Sequence, residues 1–180
     1  GWSGSPCAGF VMFGERARAQ IEQTTSTSFA ADLRKWLAIT EGYVEGVTGY
    51  HATMPTDALV CLRDAMAETR AMGFEAAKAA QWELGRRIRA ALAERGFRSV
   101  AAEGFAAPGV VVCYTDDPEI RNGRKFADRG MQIAAGVPLQ VGEGAEFSTF
   151  RLGLFGLDKL KDVDGTVARF TRVLDEVLAR

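Results

Sequence analysis

Charge of one sign is the first thing this chain of 180 residues lacks. Twenty-two lysines and arginines face twenty-three aspartates and glutamates, for a formal charge of -1. No excess of cations marks the chain as a nucleic-acid binder or as a protein held on an anionic membrane surface. The local run Arg86-Arg87-Ile88-Arg89, followed by Glu94, reads as a solvated helix face. Cysteine is scarce as well. Cys7, Cys61 and Cys113 are scattered and show no CxxC spacing, which argues against a disulfide framework or a zinc site and makes a reducing cytoplasm the expected compartment. There is one histidine, His51, with no serine or cysteine motif around it and no second histidine. A catalytic triad or a histidine-ligated metal is therefore a poor fit. No apolar run approaches the ~20 residues a membrane span needs, and there is no internal repeat or low-complexity tract.

What remains is an ordinary globular composition, 47 % hydrophobic, enough for one domain or two small ones. Gly1-Trp2-Ser3-Gly4-Ser5-Pro6 is turn chemistry, and the apolar run Gly9-Phe10-Val11-Met12-Phe13 after it predicts a strand buried on both faces. Such a strand needs neighbours, either later in the chain or in a larger protein from which this chain is cut. A short helix or turn is expected over Glu15 to Gln23 and a helical segment from Phe29, carrying Leu33, Trp36 and Leu37. In Gly49-Tyr50-His51-Ala52-Thr53-Met54-Pro55, the proline biases Met54 toward extended backbone, and Thr56 or Asp57 is placed to cap the helix that follows through Leu59, Leu62 and Met66. Hydroxyls at Tyr50 and Thr53 thus sit on a loop feeding a helix N-terminus, a setting that suits a phosphate. Plain capping and turn packing stays open there.

Gly73 ends that pattern, and a long helix follows to about Arg95, with Ala77, Leu84, Ile88 and Leu92 on one face and Gly96 closing it. The domain boundary is expected at Gly73. Beyond it the pattern predicts strands near Ser99 to Ala101, over Val110 to Tyr114 and near Met131 to Ala134. A helix between the last two opens at Asp116-Asp117-Pro118-Glu119 and carries Asn122-Gly123 inside it. Gly136, Gly142 and Gly144 do not have the spacing of a dinucleotide or P-loop fingerprint. Two helices alternating with three or four strands make an α/β or α+β fold, a small sheet with helices packed on one face.

The last strand is the most informative. In Thr149-Phe150-Arg151-Leu152-Gly153-Leu154 the apolar Phe150, Leu152 and Leu154 alternate with Thr149, Arg151 and Gly153, so the arginine leaves from the face opposite the greasy one. Leu160, Val163, Val167, Phe170, Leu174 and Val177 then recur at helical spacing and supply a helix to cover the Phe150 face. A rigidly mounted guanidinium is a two-pronged fork for a carboxylate or phosphate. A structural ion pair is the alternative use of Arg151.

Four stretches in order resemble class V aminotransferases of the alanine–glyoxylate and serine–pyruvate type, over essentially the whole chain. They are Gly1-Trp2-Ser3-Gly4-Ser5-Pro6; Ser28-Phe29 with Asp32 and Lys35-Trp36-Leu37; Tyr50-His51-Ala52-Thr53-Met54-Pro55; and Phe150-Arg151-Leu152-Gly153. The resemblance implies the C-terminal half of a fold-type I enzyme dependent on pyridoxal 5'-phosphate, with residues 1–72 the tail of the large domain and 73–180 the small domain. It implies that Arg151 binds the substrate α-carboxylate and that Tyr50 and Thr53 reach the cofactor phosphate of the neighbouring subunit in a homodimer. It also implies a Schiff-base lysine just before Gly1, so that none of Lys35, Lys78, Lys125, Lys159 and Lys161 takes that role and the isolated chain does not turn over. The substrates implied are a small amino acid and a 2-oxo acid. A desulfurase would need a cysteine on a mobile loop, whereas Cys113 falls inside an apolar strand. A free-standing, non-catalytic domain for ligand binding or dimerisation is the competing expectation.

Overall fold

The computed structural model describes residues 9–144 and 146–179, so the Gly1–Pro6 turn lies outside the described residues. These fall into two compact units that divide between residues 61 and 62.

In the first unit, α1 (Glu15–Gln23) and α2 (Leu33–Val44) pack against each other, and Arg18 of α1 pairs with Glu41 of α2. Asp32 starts α2 by accepting the Lys35 N–H at 3.1 Å, the N-cap bond that satisfies one of a helix's orphan donors. The predicted strand at Phe10 to Phe13 is not formed. The segment has no regular structure, and Phe10 and Met12 are 62 % and 92 % exposed. An apolar run alone cannot make a strand, because a ladder needs a partner to satisfy its N–H and C=O groups. No described segment pairs with it. Helix α3 (Thr56–Met72) begins at Thr56 itself, with Asp57 in its first turn, and the division between the units falls within it.

The second unit is built on the sheet β1 (Val110–Tyr114), β2 (Ala134–Ala135) and β3 (Thr149–Gly153), fully antiparallel, in the order β1-β3-β2. One sheet face is apolar. Val111, Cys113, Phe150 and Leu152 meet α4 (Phe74–Glu94) through Leu84, Ile88 and Leu92, and α8 (Val163–Leu178) through Phe170, Leu174 and Val177. Each buried aliphatic or aromatic side chain removed from water contributes roughly 1.5–3 kcal/mol, so this shared core holds the sheet in place. Arg95 and Asp175 clasp the two helices at their ends with paired bonds of 2.6 and 3.0 Å.

Three expected elements come out differently. Ser99 makes only an isolated bridge to Cys113, and the strand near Met131 shrinks to Ala134–Ala135. The helix opened by the Asp117 cap breaks into α5 (Pro118–Arg121) and α6 (Arg124–Ala127), because Gly123 between them adopts φ +80°, a conformation that costs other residues strain. Ile120 and Phe126 from the two pieces still reach the core. Arg89 departs from the solvated face expected for its run. It is partly buried and donates to the carbonyls of Ala107 and Val110 at 2.8 Å each, fastening the entry to β1.

Candidate functional site

Arg151 occupies the middle of the central strand, with Val112 of β1 and Ala134 of β2 as its register neighbours. Its Nε donates to the Ala135 carbonyl at 2.9 Å. Among the described residues no carboxylate lies within ion-pair distance of it, so the structural ion pair left open by the sequence is not made. One edge of the guanidinium is thus tethered to backbone while the fork stays available for an anion. That is the geometry of a clamp, since a pre-oriented guanidinium loses little freedom on binding a carboxylate. Beside it, Gly153 has nothing within 4 Å of where a side chain would begin, which leaves the same face of the strand open. On its other side Gly136 lies so close to Thr149 that a Cβ would meet the Thr149 carbonyl at 2.1 Å. The Ala135 carbonyl was not legible in the sequence: it is a backbone atom, brought to Arg151 only by the β2–β3 register.

In the other unit, Tyr50 Oη and Thr53 Oγ1 lie 3.2 Å apart, with Tyr50 77 % exposed and Thr53 exposed. Their loop is anchored by the residue between them. His51 Nε2 lies 3.0 Å from the Phe29 carbonyl, and its ring sits 4.2 Å from that of Phe29 and 4.8 Å from that of Trp36. Trp36 in turn donates to the Ala30 carbonyl at 2.9 Å. The lone histidine is thus a packing residue that presents Tyr50 and Thr53 outward. The structure brings these two hydroxyls together, and Arg151 belongs to the other compact unit.

No lysine stands as a desolvated nucleophile. Lys35 is exposed, and the other four are ion-paired: Lys78 with Glu75, Lys125 with Asp117, Lys159 with Asp158, and Lys161 with Glu68. Cys113 is buried in β1, and burial pushes its thiol up to about 11, so it is a structural thiol and no nucleophile.

No protein-family model and no curated protein matches the sequence. The fold does find relatives. It is that of part of the fold-type I aminotransferase chains, with a small antiparallel sheet covered by helices. The chain is similar to alanine–glyoxylate aminotransferase from Nostoc sp. (TM-score 0.72, 16 % identity, 92 % of this chain and 42 % of that one). It is also similar to pyridoxamine–pyruvate aminotransferase from Mesorhizobium loti (0.66, 16 %, 93 % and 42 %) and to ureidoglycine–glyoxylate aminotransferase from Bacillus subtilis (0.64, 21 %, 93 % and 42 %). At these identities the likeness is one of fold. The chain spans about two fifths of the length of each of these proteins.

Proposed function

We propose that this chain is the C-terminal part of a class V aminotransferase that moves an amino group between a small, alanine- or serine-like amino acid and a 2-oxo acid such as glyoxylate or pyruvate. The observation that carries the reading is the Arg151 fork, tethered by the Ala135 carbonyl and free of any carboxylate among the described residues. The aminotransferase fold of the solved neighbours, whose names include glyoxylate and pyruvate, supports it.

Arg151 grips the α-carboxylate of the amino acid and fixes its orientation, so that the α-carbon is presented the same way in every encounter. The Tyr50 and Thr53 hydroxyls suit the phosphate of pyridoxal 5'-phosphate: they adjoin each other, are open to solvent and approach the start of α3. When bound, that cofactor supplies an electron sink for the carbanion left by loss of the α-proton. In this reading residues 1–72 are the tail of the large cofactor-binding domain and 73–180 the small domain. The hydroxyls serve the neighbouring subunit of a cytoplasmic homodimer, and the Schiff-base lysine lies upstream of Gly1. No helix among the described residues is long and apolar enough to cross a membrane. A free-standing domain would pair the Phe10–Phe13 run internally, and that run is exposed and has no strand partner among the described residues, which does not favour the second reading.

The test begins with the coding DNA upstream of Gly1. An in-frame lysine codon at the end of a long open frame is expected, and the full protein should retain the cofactor and transaminate. In that protein Arg151→Lys should lower kcat/KM for the amino acid by roughly 10- to 100-fold, because one point charge replaces a fork. Unchanged kinetics would remove Arg151 from the site.

A further inference from the structure

A second concentration of positive charge lies apart from Arg151. The turn that ends α6 is closed by the Met131 N–H on the Phe126 carbonyl (2.9 Å) and the Gly130 N–H on the Ala127 carbonyl (2.9 Å), which sets Arg129 at its lip. Across from it stand Lys159 of α7 (Leu157–Leu160) and, on α8, Arg169 and Arg172. Those two are three residues apart and so lie on one side of the helix. Together with Gln132 and Thr166 these four cations line a groove of about 310 Å³, and no aspartate or glutamate lines it. In a chain whose charges nearly cancel, such a segregation is notable.

The ordinary partners do not account for it. Lys159 has Asp158 at 3.2 Å, and Arg129 uses one nitrogen on the Lys125 carbonyl at 2.9 Å. Arg169 and Arg172 make no hydrogen bond or ion pair among the described residues, although Glu176 follows Arg172 by one helical turn. Like charges held around one concavity repel, and a bound anion relieves that repulsion. Two guanidinium forks and two further cations from three separate segments exceed what one carboxylate engages. The volume is at the small end of small-molecule pockets and leaves no room for a peptide helix. The floor, where Met131, Ile133 and Leu154 come up, is apolar.

We infer that this groove between the end of α6, the C-terminal end of β3, α7 and α8 is a binding site for a diphosphate-bearing small molecule, gripped by Arg129, Lys159, Arg169 and Arg172. The inference uses neither Arg151 nor Tyr50 and stands whether or not the aminotransferase reading does.

The test is calorimetric titration of inorganic pyrophosphate into the 180-residue chain near neutral pH. Binding with Kd below about 1 mM is expected, weakened at least about tenfold in the Arg169→Gln/Arg172→Gln double variant. Both side chains are exposed, so the thermal midpoint of that variant should match the parent. Arg151→Gln should leave the titration unchanged. Tighter binding of ADP than of pyrophosphate would assign the apolar floor to a nucleoside, and equal binding would assign the diphosphate alone; each upholds the site. Absence of heat with pyrophosphate, an unaltered double variant, loss of binding in Arg151→Gln, or binding of an acidic peptide in place of pyrophosphate would each overturn it.

Discussion

Replacing Gly136 with alanine drives a methyl group into the backbone of β3. The new Cβ would stand 2.1 Å from both the carbonyl oxygen and Oγ1 of Thr149, against a floor of 3.0 Å for real Cβ contacts. Rotating the threonine relieves only one of the two clashes. The carbonyl belongs to the central strand, fixed by β1 on its other side and by Phe150 in the core. The edge must therefore retreat by about 0.9 Å, and the Gly136 N–H bond to that same carbonyl, 3.0 Å long, is strained or lost. Overpacking costs about 1–3 kcal/mol and the hydrogen bond about 1 kcal/mol, partly offset by the stiffer unfolded chain that alanine gives. A net loss of about 2–3 kcal/mol is expected, or a fall in the thermal midpoint of roughly 4–12 °C. Gly153→Ala in the same sheet is the matched control: nothing lies within 4 Å of its Cβ, so it should be neutral or slightly stabilising. In the full protein, Gly136→Ala should also loosen the carboxylate grip, since Ala135 next to it orients Arg151. An unaltered melting curve for Gly136→Ala would refute the account of a closed β2–β3 edge.

Three further outcomes are expected. In peptide-mapped alkylation of the folded chain at about pH 8.5, exposed Cys61 should label at once. Cys113, its thiol raised to about 11 by burial, should label only on unfolding, and early modification would contradict its place in the core. The Lys125 ammonium, 2.5 Å from Asp117, holds that carboxyl below the usual carboxylate range, aided by the N–H groups of Ile120 and Glu119. Its stabilisation is complete above the unfolded value of about 3.9 and is lost as pH falls. Urea midpoints of Lys125→Met measured from about pH 6 to 3 should therefore drop less steeply than the parent's, and equal slopes would discount the pair. Tyr50→Phe in the full protein should weaken cofactor retention and spare the choice of amino acid; unchanged retention by equilibrium dialysis would separate Tyr50 from the phosphate.

Where an element's own side chains decide its fate, the sequence was informative. The helices around Leu84 and Leu174 and the strands carrying Val111 and Phe150 advertise a buried face through their periodicity, and the structure buries those residues. Where a distant backbone decides, local pattern misleads. Phe10 to Phe13 make an apolar run like that of a buried strand, yet a strand exists only with a partner. Ala134–Ala135 is short because only two residues meet β3 in register. The site divides the same way. Arg151 was visible as a lone cation on the polar side of an apolar strand. Its tether to Ala135 and the freedom of its fork depend on a pairing that no spacing encodes. Arg89 departs from its pattern for the same reason: a run of three arginines looks solvated until one of them is turned toward two strand-entry carbonyls.

The strand order bears on how the chain is made. Of the three strands β3 comes last in the chain and lies in the middle, so the β1–β3 and β2–β3 ladders cannot form until Thr149–Gly153 has left the ribosome; until then β1 has its bridge to Ser99. At ~5–20 residues per second, the nascent chain carries the apolar β1 without its ladder to β3 for some seconds while the residues up to β3 are added. Through that interval β1 presents an unpaired edge of N–H and C=O groups, the kind of edge that can pair with another chain. A chain lacking Thr149–Gly153 therefore has neither the β1–β3 nor the β2–β3 ladder, and it lacks the Arg151 fork as well.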